Sequence, residues 1–180
     1  MSVFKFKEFS IVQSKSAMKV GTDGVLLGSW VNCLNAKKIL DIGAGTGLIS
    51  LMLAQRNNEC NITAVEIDKE TSEEANININ NSKWRDRISI INININNFIT
   101  SDKFDFIVSN PPYFPANFSK NKRAIARHTN LLSFQDLIRT TVKLLSSKGI
   151  FAVILPKIAE AIFCKTANAN KLFLIRICQV

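Results

Sequence analysis

The chain has 180 residues, 47% of them hydrophobic and 21% charged, with a net charge of +9. That length and apolar content suit one compact domain with a buried core and set aside a disordered or fibrous chain. The positive balance points to a polyanionic partner, such as nucleic acid or an anionic surface, and says nothing of the fold.

Met1 to Ser10 mixes Lys and Glu with Phe and has no long apolar run, so no secretory signal is read there. Residues 1–35 form an N-terminal segment that runs into a helix at "GVLLGSW", Gly24 to Trp30. Lys37 to Gly43 is a buried strand, followed by a helix from Gly47 to Arg56. Asn61 to Asp68 is a second strand, and Lys69 to Lys83 a second helix. The hexapeptide "NININN" occurs at Asn76–Asn81 and again at Asn92–Asn97, and its period of two suggests a strand both times. At the first copy the preceding Glu and Ala residues favour helix, and a parallel crossover requires one. Strands follow at Arg87–Ile93 and Lys103–Ser109, then a helix over Ser133–Ser146 and a strand over Gly149–Pro156. A helix over Ile158–Ala167 and a last strand over Lys171–Gln179 close the chain. The longest apolar run, Ile150–Leu155, is too short to cross a bilayer. Alternating strands and helices predict an α/β protein with a mostly parallel central sheet and helices on both faces.

The first strand ends in "LDIGAGTGL", which places Asp41, Gly43, Gly45 and Gly47 at a strand-to-helix turn. Glycines there let the backbone pass close to a ligand. A dinucleotide fingerprint fails, because its last glycine would fall on Leu48. The motif Asp-x-Gly-x-Gly-x-Gly resembles the class I S-adenosylmethionine-dependent methyltransferases, which implies their Rossmann-like fold and that cofactor. Asp41 suits the cofactor's amino group and sulfonium. Glu66 ends the second strand, where a carboxylate can accept from both ribose hydroxyls. Asn94 stands where the resembled family often has an Asp, and its amide oxygen can accept from the adenine amino group. Ile67 and Ile95 would flank the adenine ring, or else serve as plain core residues.

The fourth strand leads into Asn110-Pro111-Pro112-Tyr113, at the carboxyl edge of the sheet where ligand chemistry gathers. Asn-Pro-Pro-Tyr in this place resembles the amino-methyltransferases that modify a nitrogen conjugated to a π system, such as adenine N6 or a glutamine amide. The Asn110 side-chain oxygen and the Pro111 carbonyl can each accept an N–H of that amine. Pro111 and Pro112 stiffen the loop and offer no competing N–H. Tyr113, the one tyrosine of the chain, offers a face on which a base can stack.

The segment "FKFKEFSIVQSKSAMKVGTDGVLLGSW" resembles the bacterial tRNA1(Val) adenine-N6 methyltransferases, and the likeness runs on through "LDIGAGTGLISLMLAQR", "VEID", "NPPYF" and "ARHTNLL". It implies that Lys19, Thr22 and Asp23 lie where that family folds its N-terminal segment over the cofactor. Helix capping by Thr22 or Asp23 is the other reading. Residues 115–130 carry Lys120, Lys122, Arg123, Arg127 and His128 with few acidic neighbours, and read as a loop that grips RNA phosphates or as a solvated basic loop. The expected partner is tRNA, with no membrane and no metal. Cys33, Cys60, Cys164 and Cys178 form no Cys-x-x-Cys pair and read as buried reduced thiols of a cytoplasmic protein. The alternatives are a protein glutamine N5-methyltransferase, or a cofactor-binding module without activity. The fold class usually has a seventh strand beside the fifth. Here it is expected to be missing, which leaves "LFLIRI" either paired to the fifth strand or exposed. A monomer is expected, with association through an unpaired sheet edge as the alternative.

Overall fold

The computed structural model describes residues 2–112 and 132–180. The chain divides into two compact units, Met1–Asn110 with Leu144–Ile154, and Pro111–Lys143 with Leu155–Val180.

The first unit holds a five-stranded sheet. Its strands are β3 (Lys38–Ile42), β4 (Asn61–Glu66), β5 (Ile88–Asn92), β6 (Phe104–Ser109) and β7 (Leu145–Val153), in the order β5-β4-β3-β6-β7. Every pairing is parallel. Ile39 to Ile42 of β3 and Phe106 to Ser109 of β6 are buried without a break. That is the mark of central parallel strands covered on both faces, where no polar side is needed. The chain moves outward from β3 to β4 and β5, then returns to the other side of β3 for β6 and β7. This reversal between β3 and β6 opens a crevice at their carboxyl ends. The glycine loop follows β3 and Asn110 follows β6, so both lie at that crevice.

Three helices belong to this unit: α1 (Thr22–Trp30), α2 (Leu48–Arg56) and α3 (Lys69–Asn80). Gly28 lets α1 lie close on α2, since a Cβ there would come within 2.7 Å of the Met52 sulfur. The first "NININN" copy is helical, as its neighbours required. Asp68 caps α3 by accepting from Thr71 N–H at 2.8 Å, and Thr71, Glu74, Ala75, Asn78 and Ile79 form one buried stripe. Hydrogen bonding from the Thr71 side chain, and then from its backbone N–H, holds the Asp68 carboxyl below its ordinary pKa. Leu51, Leu53, Ile39, Ile62, Ile79 and Phe106 are among the residues of the core.

Two features of this unit depart from the expectation. A two-stranded antiparallel hairpin, β1 (Val3–Lys5) with β2 (Ser10–Val12), precedes α1. Its strands are too short to show a period, and Phe6 stacks on Phe9, which meets Trp84 edge-on. Strand β7 begins at Leu145 rather than Gly149, and its register with β6 shifts between Phe104 and Phe106. At the shift a Cβ on Gly149 would come 2.9 Å from the Phe104 carbonyl oxygen, so only glycine fits.

The second unit contains α4 (Phe134–Leu144, its last residue in the first unit) and α5 (Glu160–Ala169). Ser133 caps α4 by accepting from Asp136 N–H at 3.0 Å, and Phe134 meets Phe163 edge-on. The expected strand over Lys171–Gln179 does not form. Lys171 turns into the left-handed region at φ 62°, and it and Leu172 donate back to Asn168 and Ala167, which closes α5. Residues 172–180 carry no regular structure and expose Phe173, Leu174, Ile175 and Ile177. An apolar run makes a strand only where a neighbour accepts its backbone bonds, and no described strand does so here. Cys33 and Cys60 are buried as expected, and burial raises both thiol pKa values. Cys164 is half-buried and Cys178 exposed, so the reading of four buried thiols is corrected for those two.

Candidate functional site

The loop after β3 is tied to β4 at its start, because the N–H groups of Gly43 and Ala44 both donate to the Val65 carbonyl. Gly43, Gly45 and Gly47 have φ of 72°, 56° and 83°. Side chains rarely enter that region, so the three glycines are a backbone requirement. A Cβ on Gly43 or Gly45 would meet nothing within 4 Å, which leaves room for a ligand against bare backbone. At Gly47 a Cβ would touch Ala75 and Ile79 of α3.

Gly47 starts α2 and has no side chain to cap it. Asp41 supplies the cap from the strand before. Its Oδ2 accepts from Ser50 N–H at 3.1 Å and from the Ser50 hydroxyl at 2.7 Å. Asp41 is fully buried, and Oδ1 has no donor among the described residues. Burial pushes its pKa up to about 6, the Ser50 bonds oppose the rise, and the Glu66 charge adds to it. Asp41 thus faces the first turn of α2.

Glu66, at the end of β4, is buried and bridges two backbones. Its Oε2 accepts from Gly45 N–H and its Oε1 from Asp68 N–H, each at 2.9 Å. A carboxylate oxygen carries two acceptor sites, so both remain able to take a hydroxyl. The next residue, Ile67, is 46% exposed and offers an apolar surface, whereas Ile95 is a core residue at 6%. The Asn94 amide oxygen accepts from Asn96 N–H at 2.9 Å and caps the short 3-10 turn Ile95–Asn97.

Asn110 follows β6, whose last residue, Ser109, donates from its hydroxyl to the Ile42 carbonyl at 2.9 Å. That bond joins β6 to the end of β3 beside the glycine loop. Gly24 of α1 lies over Asn110, with a Cβ there reaching 3.9 Å from Nδ2. Lys19 precedes α1, Thr22 and Asp23 are its first two residues, and all three are exposed. Gly21 caps α1 without a side chain, so neither Thr22 nor Asp23 is its cap. Pro111 and Pro112 open the second unit, the first buried and the second exposed. Tyr113, Lys120, Lys122, Arg123, Arg127 and His128 lie outside the described residues.

The chain matches the family model "Methyltransferase small domain" over residues 4–162. It is 46% identical to the tRNA1(Val) (adenine(37)-N6)-methyltransferase of Flavobacterium psychrophilum, over 99% of this chain and 78% of that one. The enzyme of the same name from Pseudoalteromonas translucida is 45% identical over 100% of this chain and 78% of its own. The chain belongs to the tRNA1(Val) (adenine(37)-N6)-methyltransferase family. A solved precorrin-6y C5,15-methyltransferase of Geobacter metallireducens shares the fold, with a TM-score of 0.63 and 13% identity over 88% of this chain and 77% of that one.

In a member of this family, the open backbone at Gly43 and Gly45 and the bridging Glu66 fit the cofactor S-adenosylmethionine. Among the described residues no group of His, Cys, Asp and Glu could hold a metal ion, and no helix is long and apolar enough to cross a membrane. The sequence reading missed four buried, hydrogen-bonded side chains: Ser50 on Asp41, Asn78 on the Thr46 carbonyl of the glycine loop, and Glu74 and Gln13 on the N-terminal segment. For Ser50, Glu74 and Asn78 the signal was polarity on a helix face that must be buried, and Gln13, which directly follows β2, carried none.

Proposed function

We propose that this protein transfers a methyl group from S-adenosylmethionine to the exocyclic N6 of an adenine in tRNA, the adenine at position 37 of tRNA1(Val). The observation that carries the reading is a glycine loop closed on Glu66, with Asn110, the first residue of the Asn-Pro-Pro-Tyr motif, directly after the neighbouring parallel strand, in a chain 46% identical to an enzyme of that name.

The cofactor supplies an electrophilic methyl on a sulfonium that is already a good leaving group. The protein's task is therefore placement. Glu66 holds the ribose hydroxyls while its bond from Gly45 N–H fixes the loop beneath. Asp41 stiffens the start of α2 through Ser50. Lys19, Thr22 and Asp23 cover the cofactor from the N-terminal side, and Ile67 flanks the adenine. Asn94 and Ile95 complete that end of the site, Ile95 through packing.

The target amine is a poor nucleophile, because its lone pair is delocalised into the ring. The Asn110 side-chain oxygen and the Pro111 carbonyl accept its two N–H bonds, which orients the nitrogen toward the methyl group. Tyr113 stacks on the base. Lys120, Lys122, Arg123, Arg127 and His128 contact phosphates and hold the tRNA. The protein works in the cytoplasm, where its substrate is. Labelled S-adenosylmethionine incubated in parallel with bulk unmodified tRNA and with a release-factor protein tests the reading. Label is expected in tRNA alone, and label in protein would replace adenine N6 by a glutamine amide.

A further inference from the structure

The segment between β2 and α1 is held by side chains of α3 that the proposed reaction does not use. Glu74 accepts three successive backbone N–H groups: Ser14 at 2.6 Å and Lys15 at 3.0 Å, and Ser16 at 3.0 Å on its other oxygen. One turn along the same face, Asn78 accepts from Val12 N–H at 2.8 Å and donates to the Val12 carbonyl at 2.9 Å. The same Asn78 amide donates to the Thr46 carbonyl in the glycine loop, also at 2.9 Å. Both side chains are at most 3% exposed. Gln13 closes the far end of the segment by accepting from Val20 N–H at 2.7 Å. Asn78 is thus a single side chain bonded at once to the N-terminal segment and to the loop between Gly43 and Gly47. The three N–H bonds on Glu74 are to a carboxylate at a buried site, and such bonds are stronger than neutral ones.

We infer that Glu74 and Asn78 are positioning residues for the cofactor: they register residues 12–20 against the glycine loop and so set where Lys19, Thr22 and Asp23 stand over it. The inference rests on the reading that S-adenosylmethionine binds at the glycine loop. An apolar pair at positions 74 and 78 would bury as much surface, but it would leave the N–H groups of Val12, Ser14, Lys15 and Ser16 without these acceptors and would cut the link to Thr46.

The test compares wild type with Glu74→Gln, Asn78→Ala and a control, Ile77→Ala, at a half-exposed position of the same helix. Two quantities are read: backbone hydrogen exchange without cofactor, and the affinity for S-adenosylhomocysteine by calorimetry. Faster exchange confined to residues 12–20, with β3 and β6 still protected, is expected in the two variants. With it, affinity should fall about tenfold, the worth of roughly one hydrogen bond to a charged group, while the control stays near wild type. In turnover, KM for the donor should rise about as much, with kcat within about twofold. Glu74→Gln keeps one oxygen acceptor and the helix packing, so it serves if Asn78→Ala fails to fold. Loosened 12–20 with unchanged cofactor affinity would overturn the positioning role, and so would unchanged exchange in Glu74→Gln. Wild type that binds no S-adenosylhomocysteine would overturn the cofactor reading itself and the positioning role with it.

Discussion

Asp41→Asn isolates the cost of a buried carboxylate. Asp41 is fully buried and its pKa is pushed up to about 6, from 3.8 for an ordinary aspartate. A carboxyl raised in the folded state binds its proton more tightly there than when unfolded. Stability from this group is therefore greatest at low pH and is lost as pH rises from the unfolded value to the folded one. Above about 6 the loss is complete and stays constant. The size follows from the shift: about two pKa units at 1.36 kcal/mol each give about 3 kcal/mol. Asparagine keeps one oxygen for Ser50 but has no charge to bury, and its NH2 replaces Oδ1, which has no described donor or acceptor, at a pH-independent cost of about 1–3 kcal/mol. The assay is urea denaturation of both proteins from about pH 4 to about pH 7. Taking the difference removes the other titrating groups. The variant should gain on the wild type by about 2–3 kcal/mol across that window and by nothing further above it. A difference that stays flat would mean that Asp41 is not buried as a charge, and would refute the reasoning.

Glu66→Ala removes the acceptor for Gly45 and Asp68 N–H together with the proposed ribose contacts, so S-adenosylhomocysteine affinity by calorimetry should fall on the order of 100-fold, about 3 kcal/mol. Asn110→Ala should collapse kcat and leave cofactor affinity near normal, because the lost contact is to the target amine. Tyr113→Phe should be mild and Tyr113→Ala severe in single turnover; equal losses would assign the role to the phenol oxygen instead of the ring. Replacing Lys122, Arg123 and Arg127 together should raise KM for tRNA and flatten its salt dependence by roughly 0.7–0.9 in slope for each lost phosphate contact. An unchanged slope would move the RNA elsewhere.

The sheet was legible because its central strands β3 and β6 are buried without a break and read as apolar runs, with the glycine loop after β3 and Glu66 ending β4. Helix α3 was legible against its own period of two, since a parallel crossover needs a helix there and the preceding Glu and Ala residues favour one. The hairpin was not, because three-residue strands carry no pattern and their support is distant in sequence: Asn78 reaches Val12 across 66 positions. In the sequence Glu74 only favoured helix, and it takes the folded chain to bring the Ser14–Ser16 amides onto it. Asp41 illustrates the same limit. Its place in the motif was visible, but its bond to Ser50 depends on how α2 leaves the loop. The last strand failed for the opposite reason. Its apolar run was real, and no described strand accepts its backbone bonds.

The central claim is methyl transfer to one adenine N6, and the most direct measurement uses two transcripts of tRNA1(Val), one with adenine at position 37 and one with guanine there. Each is incubated with the protein and labelled S-adenosylmethionine, then digested to nucleosides. The account predicts label in N6-methyladenosine from the first transcript and none from the second. Equal label in both transcripts, or label in a nucleoside other than N6-methyladenosine, would contradict it.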